Sequence, residues 1–246
     1  TVNYNRDIEI FPVLEAIFKR IYGTCRYKSP TDMGVNMAGC AIVDDECCRE
    51  ASKQEIIRRY FAARAGVRQG TSDPSEVQKL EMLMSTLSLT PEQRPCVPPA
   101  REVAARTGRP ASAIALPDGC IVTGRTTELL GATSAALLNA LKHLAGIHDA
   151  IDLIAPAVIE PIQALKVTHL GSKNPLLHTD EVLIALSICA VTNPTAKLAL
   201  EQLSRLCGSE FHATVILSKV DEDVLGRLGI HLTMDPAYEF SRLYHK

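Results

Sequence analysis

Three absences shape the reading of this 246-residue sequence. The 8 cysteines, at positions 25, 40, 47, 48, 96, 120, 189 and 207, form no C-x-x-C and no paired Cys/His spacing. That excludes a zinc ribbon and a secreted disulfide framework, and it reads as reduced thiols in a cytoplasmic protein. Long apolar runs are also missing: Val182 to Val191 is short of a bilayer span and is interrupted by Ser187, so a membrane is not an expected partner. Basic runs are missing too. With 26 Lys and Arg against 28 Asp and Glu, and nothing basic longer than Arg58-Arg59, no nucleic-acid or anionic-membrane footprint is present.

Several catalytic signatures are absent as well. There is no G-x-S-x-G elbow and no H-E-x-x-H. Pro95-Cys96 is followed by Val97, Pro98 and Pro99 instead of a second cysteine, which removes the zinc-deaminase pattern. The chain opens at Thr1 without methionine and without the charged and apolar regions of a signal peptide, so it is expected to be a piece of a longer protein.

What is present is a chain long enough to bury about 70–75% of its unfolded surface without disulfides. Ile10, Leu14, Ile17, Phe18 and Ile21 recur at helical spacing, with Pro12 read as a first-turn residue and Gly23 as the stop. A Gly-, Pro- and Asp-containing loop, Ser29 to Gly39, has the composition of an ordered loop that approaches something closely. Asp44 and Asp45 then open a helix with Ile56, Ile57, Tyr60 and Phe61 on its apolar stripe and Gly66 as its expected end. Asp73, Pro74 and Glu76 announce another helix, carrying Val77, Leu80, Met84 and Leu87 on one face. A short one over Ala100 to Thr107 is stopped by Gly108.

At Arg109-Pro110 the composition changes. Ala113 to Leu116 and Cys120 to Thr123 read as a hairpin across Pro117-Asp118-Gly119. Helices follow around Leu137 to Leu144, after Thr179 and after Asn193-Pro194, with Ala155 to Ile159 ambiguous. Ala213 to Leu217 and Ile230 to Met234 read as strands around a helix over Asp221 to Leu228. The expected organisation is a mainly helical portion over residues 1–110 and an α/β portion over 111–246, α+β overall, with a small mixed sheet.

Two segments have the context of an anion site, a loop leading into a helix start. In Gly124 to Thr133 and in His169 to Glu181 the candidates are Arg125, Lys173 and His178 for charge, and Thr126, Thr127, Ser172 and Asn174 for hydrogen bonds. The bland alternatives stand beside these: Gly124 and Gly131 serve geometry, Thr133 and Thr179 cap helices, and Lys173 and His178 are solvated turn residues. His178 and Glu181 at a spacing of three lack a second pair for a metal, and Asp32, Asn36, Asp44, Asp45 and Glu46 lack calcium-loop spacing; turn and cap roles suit them better. Cys47-Cys48 sit early in a helix with no neighbouring His or Lys to activate them. No motif names a cofactor.

The segments YKSPTDMGVNMAG (27–39), DDE..REASKQEIIRRYF (44–61) and HLGSKNP.LHTDEVLIALS (169–187) resemble uncharacterised protein family 0371, also described as domain of unknown function 1846, and the likeness runs essentially the length of the chain. Departures are Cys47 and Cys48, where the family usually has small apolar residues, and Leu176, where it often has Arg. The resemblance implies a protein about twice this long, whose N-terminal half carries a Gly-rich, P-loop-like segment. This chain would be the C-terminal half, ending in a three-layer α/β/α arrangement loosely like the cytidine-deaminase topology. Fold likeness carries no chemistry by itself. Two expectations follow. In one, the bends at 124–133 and 169–179 line a shared pocket for a phosphate- or nucleotide-containing ligand. In the other, this half is a scaffold that packs against the missing half and against copies of itself as a homo-oligomer.

Overall fold

The computed structural model describes residues 4–25, 27 and 45–239 and divides into two compact units, which part in the sequence between Arg94 and Pro95. The loop Ser29 to Gly39 and the residues Asp32, Asn36 and Asp44 lie outside the described residues.

In the first unit, α1 (Tyr4–Tyr22) is closed by Gly23, whose positive φ of 76° turns its N–H back onto the Lys19 carbonyl at 3.0 Å. Because the helix begins at Tyr4, Pro12 falls inside it, buried beside Phe11, and not in its first turn. Helix α2 (Asp45–Gln69) buries the expected stripe of Ile56, Ile57, Tyr60 and Phe61 and extends it through Ala63 and Ala65. Gly66 does not end this helix. A Cβ there would stand 2.3 Å from Ser72 Oγ, so glycine admits the returning chain, and the left-handed stop comes at Gly70 with φ 76°. Helix α3 (Pro74–Thr86) starts as its sequence predicts, with Asp73 accepting the Ser75 N–H at 2.7 Å and Pro74 in the first turn.

The second unit opens with α4 (Val97–Thr107), ended by Gly108. Strands β1 (Ala111–Ala115) and β2 (Ile121–Arg125) form the expected hairpin, each reaching about two residues off the predicted limits. Then come α5 (Ala132–Leu144), α6 (Pro156–Ala164) with a π-helical extension over Leu165–His169, α7 (Thr179–Cys189), α8 (Pro194–Leu200), β3 (Glu210–Ala213), α9 (Lys219–Arg227) and β4 (His231–Met234). The ambiguous Ala155 to Ile159 is therefore the start of a helix.

The sheet runs β2-β1-β3-β4, antiparallel across its first two pairings and parallel between β3 and β4. It is mixed, as expected of an α/β fold. Alternation assigns its two faces: Ile114, Phe211 and Ala213 enter a core with Leu137 and Leu141 of α5, Val182 and Leu186 of α7 and Leu225 of α9. Ala113 faces the other way, onto Cys96 and Ala100 at α4. Strand β3 occupies Glu210–Ala213, so the strand expected over Ala213 to Leu217 lies at the wrong place and shares only Ala213 with it: the partner β1 begins at Ala111 and offers no ladder beyond, where the Thr214 N–H donates to the Ala111 carbonyl.

Candidate functional site

The two bends singled out from the sequence do meet. Leu130 and Leu177 form a parallel bridge, the Leu177 N–H donates to the Leu129 carbonyl at 3.3 Å, and the Ser134 hydroxyl donates to the Leu177 carbonyl at 3.0 Å. Their junction is apolar. Leu177 is 1% exposed, and Leu129 and Leu130 pack on the main core. Gly124 is explained by packing: a Cβ would lie 2.1 Å from the Ala136 backbone nitrogen, so glycine lets α5 settle onto β2. Neither Thr133 nor Thr179 is an N-cap; Gly131 and His178 hold those positions, and both threonines are buried within the first turn.

The candidate residues divide into three groups. Thr127 spends its hydroxyl on its own bend, accepting the Leu130 N–H at 3.0 Å, while Thr126 is buried and bonds to Glu239, whose carboxyl is pushed up by burial. Ser172 and Asn174 close their own turn: the Ser172 hydroxyl reaches the Asn174 carbonyl at 3.1 Å, and Asn174 Oδ1 accepts the Leu176 N–H at 3.0 Å. Lys173 is exposed on that turn. Of these candidates only Arg125 and Thr127 line a cleft of about 320 Å³, whose lining also includes the polar Asn139, Lys142 and Asp152 and the apolar Leu129, Leu130, Leu138, Leu153, Ile154 and Ile159. Arg125 is exposed there and makes no hydrogen bond or ion pair among the described residues. Lys142, 7% exposed, is committed to the Asp149 carbonyl at 2.7 Å, and Asn139 to the Thr123 carbonyl at 2.9 Å.

His178 belongs to a separate, saturated network at the start of α7. Asp221 Oδ1 accepts both the Thr179 N–H and the Thr179 hydroxyl at 2.9 Å, and its Oδ2 accepts from His178 Nδ1 at 3.0 Å and from the Ser218 hydroxyl at 2.7 Å. Burial works against charge on Asp221, yet the bonds from His178, Thr179 and Ser218 hold its carboxyl below the usual range. The same Asp221 hydrogen bond raises His178, with burial opposing it. One turn away, Lys166, 6% exposed, donates to Glu181 Oε2 at 2.7 Å and to the Leu176 carbonyl at 2.8 Å, while Glu181 also accepts the His178 N–H at 2.8 Å.

Ser218, His178 and Asp221 have the composition of a hydrolytic triad without its wiring. Both Ser218 Oγ, at 3.3 Å, and the carboxylate face the same ring nitrogen, and the serine proton goes to Asp221. A nucleophilic serine needs the second ring nitrogen as its base, so this cluster orients a helix start and does not activate a hydroxyl. A second buried pair joins His212, 0% exposed, to Thr233 at 3.0 Å and to Asp235 at 3.4 Å. Arg101 clamps Asp235 with bonds of 2.7 and 3.1 Å. Burial opposes charge on Asp235, but His212 and Arg101 hold its carboxyl far below the usual range. The pairings Lys166–Glu181, His178–Asp221 and Arg101–Asp235 were not legible in the sequence because they span 15, 43 and 134 positions. Among the described residues no three His, Cys, Asp or Glu side chains are grouped to hold a metal ion.

Fold and site together define a layered α/β protein with a preceding helical unit. Residues 92–244 match "Domain of unknown function DUF1846, C-terminal" and residues 1–88 match "Domain of unknown function DUF1846, N-terminal". The chain belongs to this family. It is 54% identical over 246 residues to a UPF0371 protein of Streptococcus pneumoniae and equally to one of Streptococcus thermophilus, covering 100% of this chain and 50% of each relative. It thus spans about half the length of the curated relatives it matches.

Proposed function

We propose that the α/β unit binds a small ligand bearing an anionic group, of the phosphate or nucleotide class, in the cleft beside β2. The observation that carries this reading is Arg125: an exposed guanidinium without a partner among the described residues, at a cleft whose lining includes several leucine and isoleucine side chains. A guanidinium binds phosphate or carboxylate bidentately, and apolar lining residues suit the uncharged body of such a ligand. Ser172, Asn174 and His178 have internal partners and stand outside the cleft lining, so the ligand's charge falls to Arg125. Cytoplasmic work on a small phosphorylated compound, without nucleic acid or membrane, fits this reading. Among the described residues no helix is long and apolar enough to cross a membrane.

The test is a thermal-shift panel of inorganic phosphate and nucleotides. At ten times Kd, mass action adds about 1.4 kcal/mol, which for a chain of this size is roughly 3–6 °C. Arg125→Ala should abolish the shift and Lys173→Ala should leave most of it; a flat response across the panel removes the reading.

A second reading is favoured by α7, where Ile184 and Ile188 stand 60% and 62% exposed on one helical face, with Val191 just past the helix end 83% exposed. Exposed aliphatic stripes of this kind mark interaction surfaces. On this reading the unit is a scaffold half that packs against the rest of the longer family polypeptide and against copies of itself. Light scattering over a hundredfold concentration range tests self-association: a growing oligomer that Ile188→Lys disperses supports it, and a monodisperse monomer counts against it.

A further inference from the structure

Away from the cleft and the α7 network, the β1–β2 hairpin and α5 bring three reactive side chains together. Cys120 Sγ lies 3.8 Å from His143 Nδ1, and the other ring nitrogen, Nε2, lies 3.1 Å from Asp118 Oδ2. Asp118 Oδ1 accepts the Cys120 N–H at 2.9 Å, closing the turn that holds the thiol in place. This arrangement differs in kind from the one around His178. There serine and carboxylate share one nitrogen; here thiol and carboxylate take opposite sides of the ring.

The direction of the hydrogen bonds follows. The Cys120 N–H, and after it His143, hold the Asp118 carboxyl below its ordinary value, with Arg205 contributing from a distance, so it is ionised and can only accept. His143 must then donate from Nε2, and in the neutral ring the lone pair sits on Nδ1, facing the sulfur. The imidazole is placed to take the thiol proton. All three groups can be reached: His143 and Asp118 are 40% and 43% exposed and Cys120 is half-buried.

We infer that Cys120 is a site of thiol–disulfide exchange, a nucleophilic thiol that takes up the half of a small soluble disulfide under base assistance from His143. Cys120 does not line the Arg125 cleft and stands on an open hairpin, which suits a small diffusing disulfide. In the step, the Cys120 sulfur attacks one sulfur of RS–SR. Its proton passes to His143 Nδ1, a new S–S bond forms as the old one breaks, and the departing thiolate recovers the proton as RSH. The products are one mixed disulfide and one thiol, with no further oxidant required. Asp118 is a positioning residue, setting the tautomer and orientation of the ring.

The chain carries its own controls. Cys207 is exposed and has no histidine partner among the described residues, whereas Cys96 is buried at 0% exposure. The reduced full chain, treated with glutathione disulfide and digested for peptide mass mapping, should show Cys120 modified about a hundredfold faster than Cys207 or more, the low end of what a positioned base contributes. His143→Ala should bring Cys120 down to the rate of Cys207 while Cys207 is unchanged. Asp118→Asn, which keeps an acceptor for the Cys120 N–H, should alter the pH profile of Cys120 modification more than its limiting rate. Cys96 staying unmodified certifies the fold; if it reacts in the alanine variant, His143→Gln is read in its place. Equal rates at Cys120 and Cys207 in the wild type, or a Cys120 rate indifferent to either His143 variant in a folded chain, would overturn the assignment.

Discussion

The network at the start of α7 and the cleft beside β2 are built from the same kinds of residue and differ in how far their polar groups are already satisfied. Around Asp221 each charge has a partner: Thr179, His178 and Ser218 converge on one carboxylate, and Lys166 spans Glu181 and the Leu176 carbonyl. At the cleft, Arg125 has none among the described residues. Saturation of buried groups holds a fold together, because a broken bond leaves the remaining partner desolvated. An unpartnered surface cation contributes little to the fold and remains available for a ligand. The lesson is that the histidine and lysine most suggestive in the sequence are not equivalent to the arginine that the fold leaves open.

Breaking the saturated side should have the largest effect. Asp221→Ala strips the Thr179 N–H, the Thr179 hydroxyl, His178 and Ser218 of their common acceptor, and should cost about 3–5 kcal/mol of unfolding free energy by urea titration. A loss below about 1 kcal/mol would mean the network is not a structural clamp. Gly124→Ala follows, at about 3 kcal/mol, since the added methyl meets the Ala136 backbone and neither element yields cheaply.

A smaller effect sharpens the ionic character of the pair. His178 is raised and Asp221 lowered by their contact. The histidine contribution is therefore full below the unfolded value near 6.5 and is lost as pH rises through the higher folded value. The aspartate contribution is present above its unfolded value of about 3.9 and is lost as pH falls through the lower folded one. The stability difference between wild type and His178→Gln should thus be about 1 kcal/mol larger at pH 6 than at pH 9; identical differences would leave a neutral hydrogen bond only. Smallest of all is Arg125→Ala, expected within about 0.5 kcal/mol of wild type in stability. A large loss would place Arg125 among the structural residues and remove the contrast.

Local signals were legible where the cause was local. Asp73-Pro74, Gly23, Gly108 and the Pro117-Asp118-Gly119 turn act within a few residues, and the fold places helix ends and the hairpin where they point. Gly66 misled, because a glycine required for the close approach of Ser72 looks the same in sequence as one that stops a helix. The extent of β3 was not legible either, since a strand ends where its neighbour does. As for the sites, the meeting of two bends was readable from their shared loop-to-helix context, but not that leucines occupy their junction. Cys120, His143 and Asp118 carried no motif at all: 23 positions separate the thiol from its imidazole, and only the packing of α5 on β2 closes that gap.

By itself, then, the sequence determined the alternation of helices and short strands, the family kinship and the capping of individual elements, all of which rest on periodicity and on interactions across three or four residues. The tertiary structure decided which polar groups are consumed and which are left open. That depends on distances between residues far apart in the chain, and a side chain's chemistry is set by what desolvates it and what it faces once the layers have packed.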